Sequence, residues 1–174
     1  MNKNFSILNS IDISNNLKSK QKIKIEKNIN NLHKNLNKLT SSLSVLKKKF
    51  KFGFNNKTVK KYDKFQEVAI IGMGGSILGA KAIYGIFKNK IKKNFYFFDN
   101  LDKNNLINFK KKKNLNKVFF IIISKSGNTL ETLINMTFFY KFISKKNAII
   151  ICEKRNNKLA NLSKILDIDI LEHK

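Results

Sequence analysis

An apolar run gives way to a glycine-rich turn in the stretch Val68-Ala69-Ile70-Ile71-Gly72-Met73-Gly74-Gly75-Ser76. A second apolar run, residues 118–123, gives way in the same manner to Ser124-Lys125-Ser126-Gly127-Asn128-Thr129. Continuous β-branched and aromatic runs bounded by turn residues are typical of buried parallel strands. An amphipathic run follows each of them, so residues 72–76 (the first turn) and 124–129 (the second turn) each predict a strand that ends and a helix that begins. The two stretches indicate an α/β fold.

Both turns are predicted to bind an anion. The start of a helix offers free backbone N–H groups and the positive end of the helix dipole, and phosphate is the usual ligand there. Because both turns follow strands of one parallel sheet, we expect them to face one crevice. The second turn adds the hydroxyls of Ser124, Ser126 and Thr129, and the charge of Lys125. Ordinary helix capping by Thr129 or Asn128 is the alternative, and it accounts for one hydroxyl but not for three.

The alternation of short apolar runs with helical patterns from residue 67 onward predicts the elements of the sheet domain. Five parallel strands, flanked by helices, are predicted at residues 67–71, 95–98, 118–123, 148–152 and 168–171. Helices are predicted over 76–88, from the N-cap Asp102 through Phe109, over 129–142 and over 158–166. We therefore predict a helical extension, residues 1–66, and a phosphate-binding domain, residues 67–174. The last strand stops three residues before Lys174, which indicates a domain cut off at its C-terminal end.

Residues 18–50 carry apolar side chains at alternating steps of four and three: Ile25, Ile29, Leu32, Leu36, Leu39, Leu43, Leu46 and Phe50. This spacing predicts a long helix with one packing face. The positions beside that face show no clear pairing of opposite charges. That favours a helix packed on its own domain over a coiled-coil dimer, which stays open as the alternative. His33 lies off the packing face and is predicted to be a surface residue.

The net charge of +25 raises the question of nucleic-acid binding. Arg155 is the only arginine, whereas specific recognition of bases and phosphates favours the planar fork of arginine. The lysines are spread along the whole chain among Asn, Ile and Phe, a bias that an AT-rich genome produces without any function. We expect nonspecific attraction to polyanions and no nucleic-acid function.

The cysteine content and the apolar runs predict a cytoplasmic protein. The single cysteine, Cys152, excludes a disulfide framework and is predicted to be a buried small residue. No apolar stretch has the length that a membrane span needs. The N-terminal residues lack the apolar core of a signal peptide.

Three kinds of phosphate site compete for residues 72–79. A dinucleotide fingerprint requires glycine where Ile77 stands, although Asp99 lies where a ribose-binding acid would, so this interpretation stays open. A nucleotide P-loop requires a lysine where Ala80 stands, which excludes it. A sugar-phosphate cradle needs only close backbone approach and a hydroxyl at the helix start, and Gly74-Gly75-Ser76 supplies both. The second turn favours the cradle, because a dinucleotide site has no use for such a loop.

These residues resemble the glucose-6-phosphate isomerase family. Residues 72–79 are similar to that family's Gly-Ile-Gly-Gly-Ser-x-Leu-Gly segment, and residues 124–132 resemble its Ser-Lys-Ser/Thr-x-Thr-Thr-x-Glu-Thr loop. Asn100-Leu101-Asp102 is similar to the Asn-x-Asp that follows the family's second strand. The three matches occur in the family's order and cover residues 67 to about 172. The resemblance implies a sugar isomerase (SIS) domain with a five-stranded parallel sheet.

The resemblance also implies roles for particular residues. It places ligands of the substrate phosphate at Gly75, Ser76, Ser124, Lys125, Ser126 and Thr129. Glu131 matches a family carboxylate near the ring-opening histidine and would have an orienting role. Met73 and Asn128 depart from the family's pattern. The glutamate base, histidine, lysine and arginine of the family lie beyond the matched segment, so we expect negligible isomerase activity from this chain alone.

The implied reaction interconverts an aldose 6-phosphate and a ketose 6-phosphate, above all those of glucose and fructose, through an enediol. It belongs to glycolysis and gluconeogenesis, needs no cofactor or metal, and is carried out by a homodimer of the full-length protein. This chain would be the N-terminal, phosphate-binding half. The alternative from a different class is a non-catalytic domain that senses a sugar phosphate by binding alone.

Overall fold

The structure, a computed structural model, describes residues 15–35, 51, 53–153 and 156–173; in the first helix it describes the side chains of residues 19–31. The chain divides into two compact units, Met1–Lys51 and Phe52–Lys174. This division lies before the boundary that the sequence predicted at residue 67. The sheet unit begins earlier because a short helix precedes the first strand and two aromatic residues after that helix pack on the sheet.

Helix α1, Asn15–Asn35, is the described element of the first unit. It contains the first part of the long helix that the apolar spacing predicted. Residues 36–50 and the side chains of Leu32 and His33 lie outside the described residues, so the role of the packing face stays a prediction. Within the described ranges, no helix combines the length and the apolar character needed to cross a membrane.

Five parallel strands form the sheet of the second unit, in the order β2-β1-β3-β4-β5. The strands are β1 Glu67–Gly72, β2 Asn94–Phe98, β3 Val118–Ile123, β4 Ala148–Cys152 and β5 Asp169–Glu172. The helices are α2 Asn56–Lys61, α3 Gly75–Phe87, α4 Lys103–Lys112, α5 Leu130–Phe139 and α6 Lys158–Ile165. The predicted fold class is confirmed, and β3 and β4 have the predicted bounds.

Two local features refine the predicted helices. Asp102 is the N-cap of α4, as predicted, and its side chain accepts hydrogen bonds from the amides of Asn104 and Asn105. The predicted helix over 129–142 is shorter, because α5 ends at Phe139 and a 3₁₀ turn follows over Tyr140–Phe142. Such tightening of the backbone is common where a helix ends.

The central strands β1, β3 and β4 are buried on both faces, which explains why they are continuous apolar runs. One face packs with α4, α5 and α6 around Phe120, Ile122 and Phe139. The other face packs with α3 and the segment after α2 through Phe119 and Ile149. Alternate residues of one strand, such as Phe119 and Phe120, therefore lie in different cores.

The segment that follows α2 explains the position of the domain boundary. The ring of Tyr62 stacks on Phe119 with 4.1 Å between centroids, and its hydroxyl donates to the carbonyl of Ala148 at 3.2 Å. Phe65 also stacks on Phe119. These contacts make α2 part of the sheet unit, although its sequence has no apolar periodicity that would predict this.

Cys152 is fully buried at the end of β4, which confirms the prediction of a buried small residue. Burial raises the pKa of the Cys152 thiol, because the thiolate would be charged in an apolar environment. The thiol therefore stays protonated and packs as a small hydrophobic group.

Glu67 begins β1 at the amino edge of the sheet, the edge opposite the two turns. Its carboxylate accepts hydrogen bonds from Lys113 Nζ at 3.1 Å and Asn94 Nδ2 at 3.3 Å. Burial raises the pKa of this carboxyl. Hydrogen bonds from Tyr96, Lys113 and Asn94 outweigh that effect, and the pKa lies below its ordinary value of 4.5. A carboxyl with a lower pKa in the folded state stabilises the fold above its unfolded pKa, and this stabilisation is lost as the pH falls through the folded pKa.

We therefore expect Glu67→Gln to make stability less sensitive to acid. The free energy of unfolding of the unaltered chain should fall more steeply than that of the variant between about pH 5 and pH 3. Urea unfolding across this range measures both slopes, and Glu172→Gln, which alters an exposed carboxyl of β5, is the matched control. Equal acid slopes for the Glu67 variant and the unaltered chain would contradict the assignment.

Candidate functional site

The two turns lie side by side at the carboxyl edge of the sheet. β1 and β3 are neighbouring strands, and Gly72 pairs with Ile123, so the two strands end in register. The strand order reverses at this point, because β2 lies on one side of β1 and β4 lies on the far side of β3. A reversal of this kind opens a crevice at the carboxyl ends of the strands. The structure thus places both predicted turns at one switch point.

The first turn presents its backbone to the crevice. At Gly72 a Cβ would lie 3.0 Å from the carbonyl oxygen of Ile123, so the two strand ends are closely packed. Gly74 has φ +50°, a conformation that favours glycine. A Cβ at Gly75, the first residue of α3, would meet no atom of the described residues within 4 Å. Ser76, in the first turn of α3, is partly exposed beside this open backbone.

The second turn is held together by its own hydroxyls. Ser124 is 2% exposed, and its Oγ lies 2.9 Å from Thr129 Oγ1 and accepts a hydrogen bond from the Gly127 amide at 3.2 Å. Ser126 Oγ accepts from the Asn128 amide at 3.2 Å. These bonds fix the loop in the shape that places Ser126 and Thr129 at the start of α5.

Helix capping does not explain the hydroxyl of Thr129. Thr129 is the N-cap residue of α5, yet within the described part of the chain its side chain makes no capping hydrogen bond. Its hydroxyl is bonded to Ser124 instead. The first backbone bond that this helix makes with its cap runs from the Leu133 amide to the Thr129 carbonyl, which leaves the preceding amides at the positive end of the helix.

The start of α6 is hydrogen-bonded to the second turn. The amide of Lys158 donates to Asn128 Oδ1, and the amide of Leu159 donates to the carbonyl of Gly127, both at 3.0 Å. Asn157, the N-cap of α6, accepts from the Ala160 amide at 2.8 Å. The sequence did not predict this support. The asparagine before the predicted helix over 158–166 was a signal for a cap, but nothing in the sequence indicated that the cap contacts the second turn.

The remaining predicted site residues differ in exposure. Lys125 and Ser126 are exposed, and Glu131, in the first turn of α5, is partly exposed. The carboxylate of Asp99, after β2, forms an ion pair with Lys81 of α3 at 2.5 Å. Asp99 is the acid that a dinucleotide site would need for a ribose.

These features define a class of protein: α/β domains whose glycine- and serine-rich turns open a crevice at the switch point of a parallel sheet. The sequence matches the family model described as phosphoglucose isomerase over residues 11–166. The chain belongs to the phosphoglucose isomerase family, and the resemblance found in the sequence is confirmed.

Individual relatives agree with this assignment. The glucose-6-phosphate isomerase of Methanocaldococcus jannaschii is 46% identical over 89 residues, which cover 51% of this chain and 22% of that protein. The glucose-6-phosphate isomerase of Borreliella afzelii is 39% identical over 109 residues, which cover 56% of this chain and 21% of that protein. The chain therefore spans about a fifth of the length of these curated relatives.

Solved structures show the same architecture. A glucose-6-phosphate isomerase from Chlamydia trachomatis superposes with a TM-score of 0.55 at 26% identity, over 65% of this chain and 23% of that one. A hypothetical protein from Thermus thermophilus superposes with a TM-score of 0.61 at 21% identity, over 67% of this chain and 31% of that one. The second likeness shows the fold alone.

Proposed function

We propose that this chain is the phosphate-binding part of an aldose–ketose isomerase that interconverts glucose 6-phosphate and fructose 6-phosphate. The observation that carries the proposal is the pairing of Gly72 with Ile123, because it brings both turns to one crevice in a chain of this family. The cytoplasmic location, the role in glycolysis and gluconeogenesis, and the homodimeric assembly of the full-length protein are parts of the same proposal.

The substrate phosphate binds at the second turn in this proposal. Ser126, Thr129 and the first amides of α5 donate hydrogen bonds to it, and Lys125 adds a positive charge. Ser124, which the resemblance gave as a further phosphate ligand, is only 2% exposed, and in this proposal it orients the Thr129 hydroxyl through the bond between them. From the first turn, Ser76 adds a hydroxyl, and the backbone at Gly75 allows the sugar to come close.

Isomerisation itself moves a proton between two neighbouring carbons through an enediol. In that reaction this chain binds and orients the sugar phosphate, and this lowers the entropic cost of the reaction. Glu131 is assigned an orienting role because it matches the family carboxylate near the ring-opening histidine; it lies in the first turn of α5, the helix that starts at the proposed phosphate site.

The test is the binding of sugar phosphates followed by amide chemical shifts. We expect glucose 6-phosphate to shift the amides of residues 74–76 and 124–129, and glucose to leave them unchanged. Thr129→Ala should weaken binding by about 1–3 kcal/mol, the range for a lost hydrogen bond to a charged group. Ser124→Ala removes the hydroxyl that orients Thr129 and should weaken binding by up to the same amount. Thr137→Ala is the matched control, because Thr137 lies further along α5 and its hydroxyl bonds to the Leu133 carbonyl.

The same titration separates an isomerase from a sensor. An isomerase binds its aldose and its ketose, so both 6-phosphates should shift the same amides with affinities within about tenfold of each other. A response to one of the two sugars alone would favour a sensing domain. Shifts confined to α1, with both turns silent, would refute the site.

A further inference from the structure

The loop after β2, residues 99–102 (the β2 loop), forms a third part of the crevice edge. β2 pairs with β1 on the side away from β3, and Ile71 pairs with Phe98, so the β2 loop lies beside the first turn. Neighbouring strands are about 4.8 Å apart, which places the β2 loop about 10 Å from the second turn. If a hexose phosphate binds with its phosphate at the second turn, its sugar can reach over the first turn to this loop.

A buried side chain of α5 holds the β2 loop. Asn135 is 1% exposed, and its Nδ2 donates to the carbonyl oxygen of Asn100 at 2.9 Å. Asn135 lies on the helix that begins at the second turn, so one rigid element connects the proposed phosphate site with the β2 loop. The side chain of Asn100 is exposed at the crevice edge, where its amide can bond to sugar hydroxyls.

The buried side-chain amide of Asn135 does not by itself stabilise the fold. Its Oδ1 is buried and has no hydrogen-bond partner among the described residues. An unsatisfied buried acceptor destabilises a fold, whereas a leucine, whose side chain branches at the same carbon, would carry no such penalty. What the asparagine supplies, and a leucine does not, is the hydrogen bond to Asn100.

The β2 loop also forms an ion pair with α3, which is weaker than the buried hydrogen bond from Asn135. Lys81 pairs with the carboxylate of Asp99, but the two side chains are 41% and 26% exposed. Solvent screens a pair of this kind, and exposed pairs contribute little to stability. Asp102, at the end of the β2 loop, is held by its cap bonds to α4. At Asn100 the described side-chain bond comes from Asn135.

We propose that Asn135 is a positioning residue that sets the β2 loop as the sugar-facing wall of the site. It acts through Asn100 and does not touch the phosphate. The inference rests on the proposed function, because a sugar reaches the β2 loop only when its phosphate is bound at the second turn.

The test compares two ligands in Asn135→Leu, with amide shifts as the readout. We expect the affinity for glucose 6-phosphate to fall about five- to tenfold, which corresponds to the net loss of the one hydrogen bond between the Asn100 side chain and the sugar. The affinity for inorganic phosphate, which does not reach the β2 loop, should stay within about twofold. Asn135→Ala gives the same comparison without added bulk if the leucine variant does not fold.

The control is Thr132→Val, an isosteric change on the same buried face of α5 that removes another hydroxyl without a described partner. It should leave both affinities unchanged. Equal losses for the two ligands in the Asn135 variants, or no loss for glucose 6-phosphate, would overturn this inference alone. If the unaltered chain binds neither ligand at the second turn, the proposed function fails and this inference fails with it.

Discussion

Gly127→Ala is expected to destabilise the chain by about 2–4 kcal/mol and to abolish sugar-phosphate binding. Gly127 has φ +67°, in the left-handed region where a Cβ is strained. An added Cβ would also lie 2.1 Å from Asn157 Oδ1 and 2.2 Å from its Cγ. Because Asn157 caps α6, it cannot move away without losing the bond from the Ala160 amide. The alanine therefore displaces the second turn or the start of α6.

Urea unfolding and a glucose 6-phosphate titration measure the two effects of Gly127→Ala. Gly85→Ala is the matched control, because a Cβ inside α3 at that position meets no described atom within 4 Å. That control should raise the free energy of unfolding by up to about 1 kcal/mol, since alanine favours helix more than glycine does. A Gly127 variant as stable as the unaltered chain, with normal binding, would show that the contact with Asn157 does not constrain the turn.

Phe139→Ala is expected to destabilise the chain by about 3–5 kcal/mol, a loss that threatens folding in a domain of ordinary stability. Phe139 is fully buried on α5, against the sheet. Its ring lies 5.3 Å from Phe98, 5.9 Å from Phe109, 5.5 Å from Phe120 and 5.1 Å from Phe138, measured between centroids. The substitution removes all four contacts and leaves a cavity that these rings fill only in part.

The matched control is Tyr140→Ala at the next residue, where the aromatic side chain is 49% exposed. It should cost less than about 1 kcal/mol, because little buried surface is lost. Urea unfolding followed by circular dichroism gives both values. Similar losses for the two variants would mean that the aromatic cluster contributes little to the stability of the sheet unit.

The sequence predicted most of the sheet because its central strands, β1, β3 and β4, are buried on both faces. A strand such as β3 appears as a continuous apolar run ended by Ser124, so both its type and its bounds are visible. The domain boundary was not visible in the same way. Tyr62 and Phe65 join α2 to the sheet by stacking on one residue, Phe119, and single contacts between distant residues leave no periodic pattern.

The position of the candidate site was predictable, but its internal bonding was not. The spacing of Ser124, Ser126 and Thr129 indicated which hydroxyls lie near the start of a helix. It could not indicate that Ser124 bonds to Thr129, because a hydroxyl at this spacing can also cap the helix. The contact between Gly127 and Asn157 depends on how the ends of β3 and β4 meet, which only the folded chain determines.

The support of the second turn by α6 sets a lower limit on the size of a working fragment. A piece of the chain that ended at Phe142 would contain every residue assigned to the phosphate site. It would lack the amides of Lys158 and Leu159, which bond to Asn128 and to the carbonyl of Gly127. The smallest autonomous unit with a formed site therefore extends beyond its own ligands to include β4 and the start of α6.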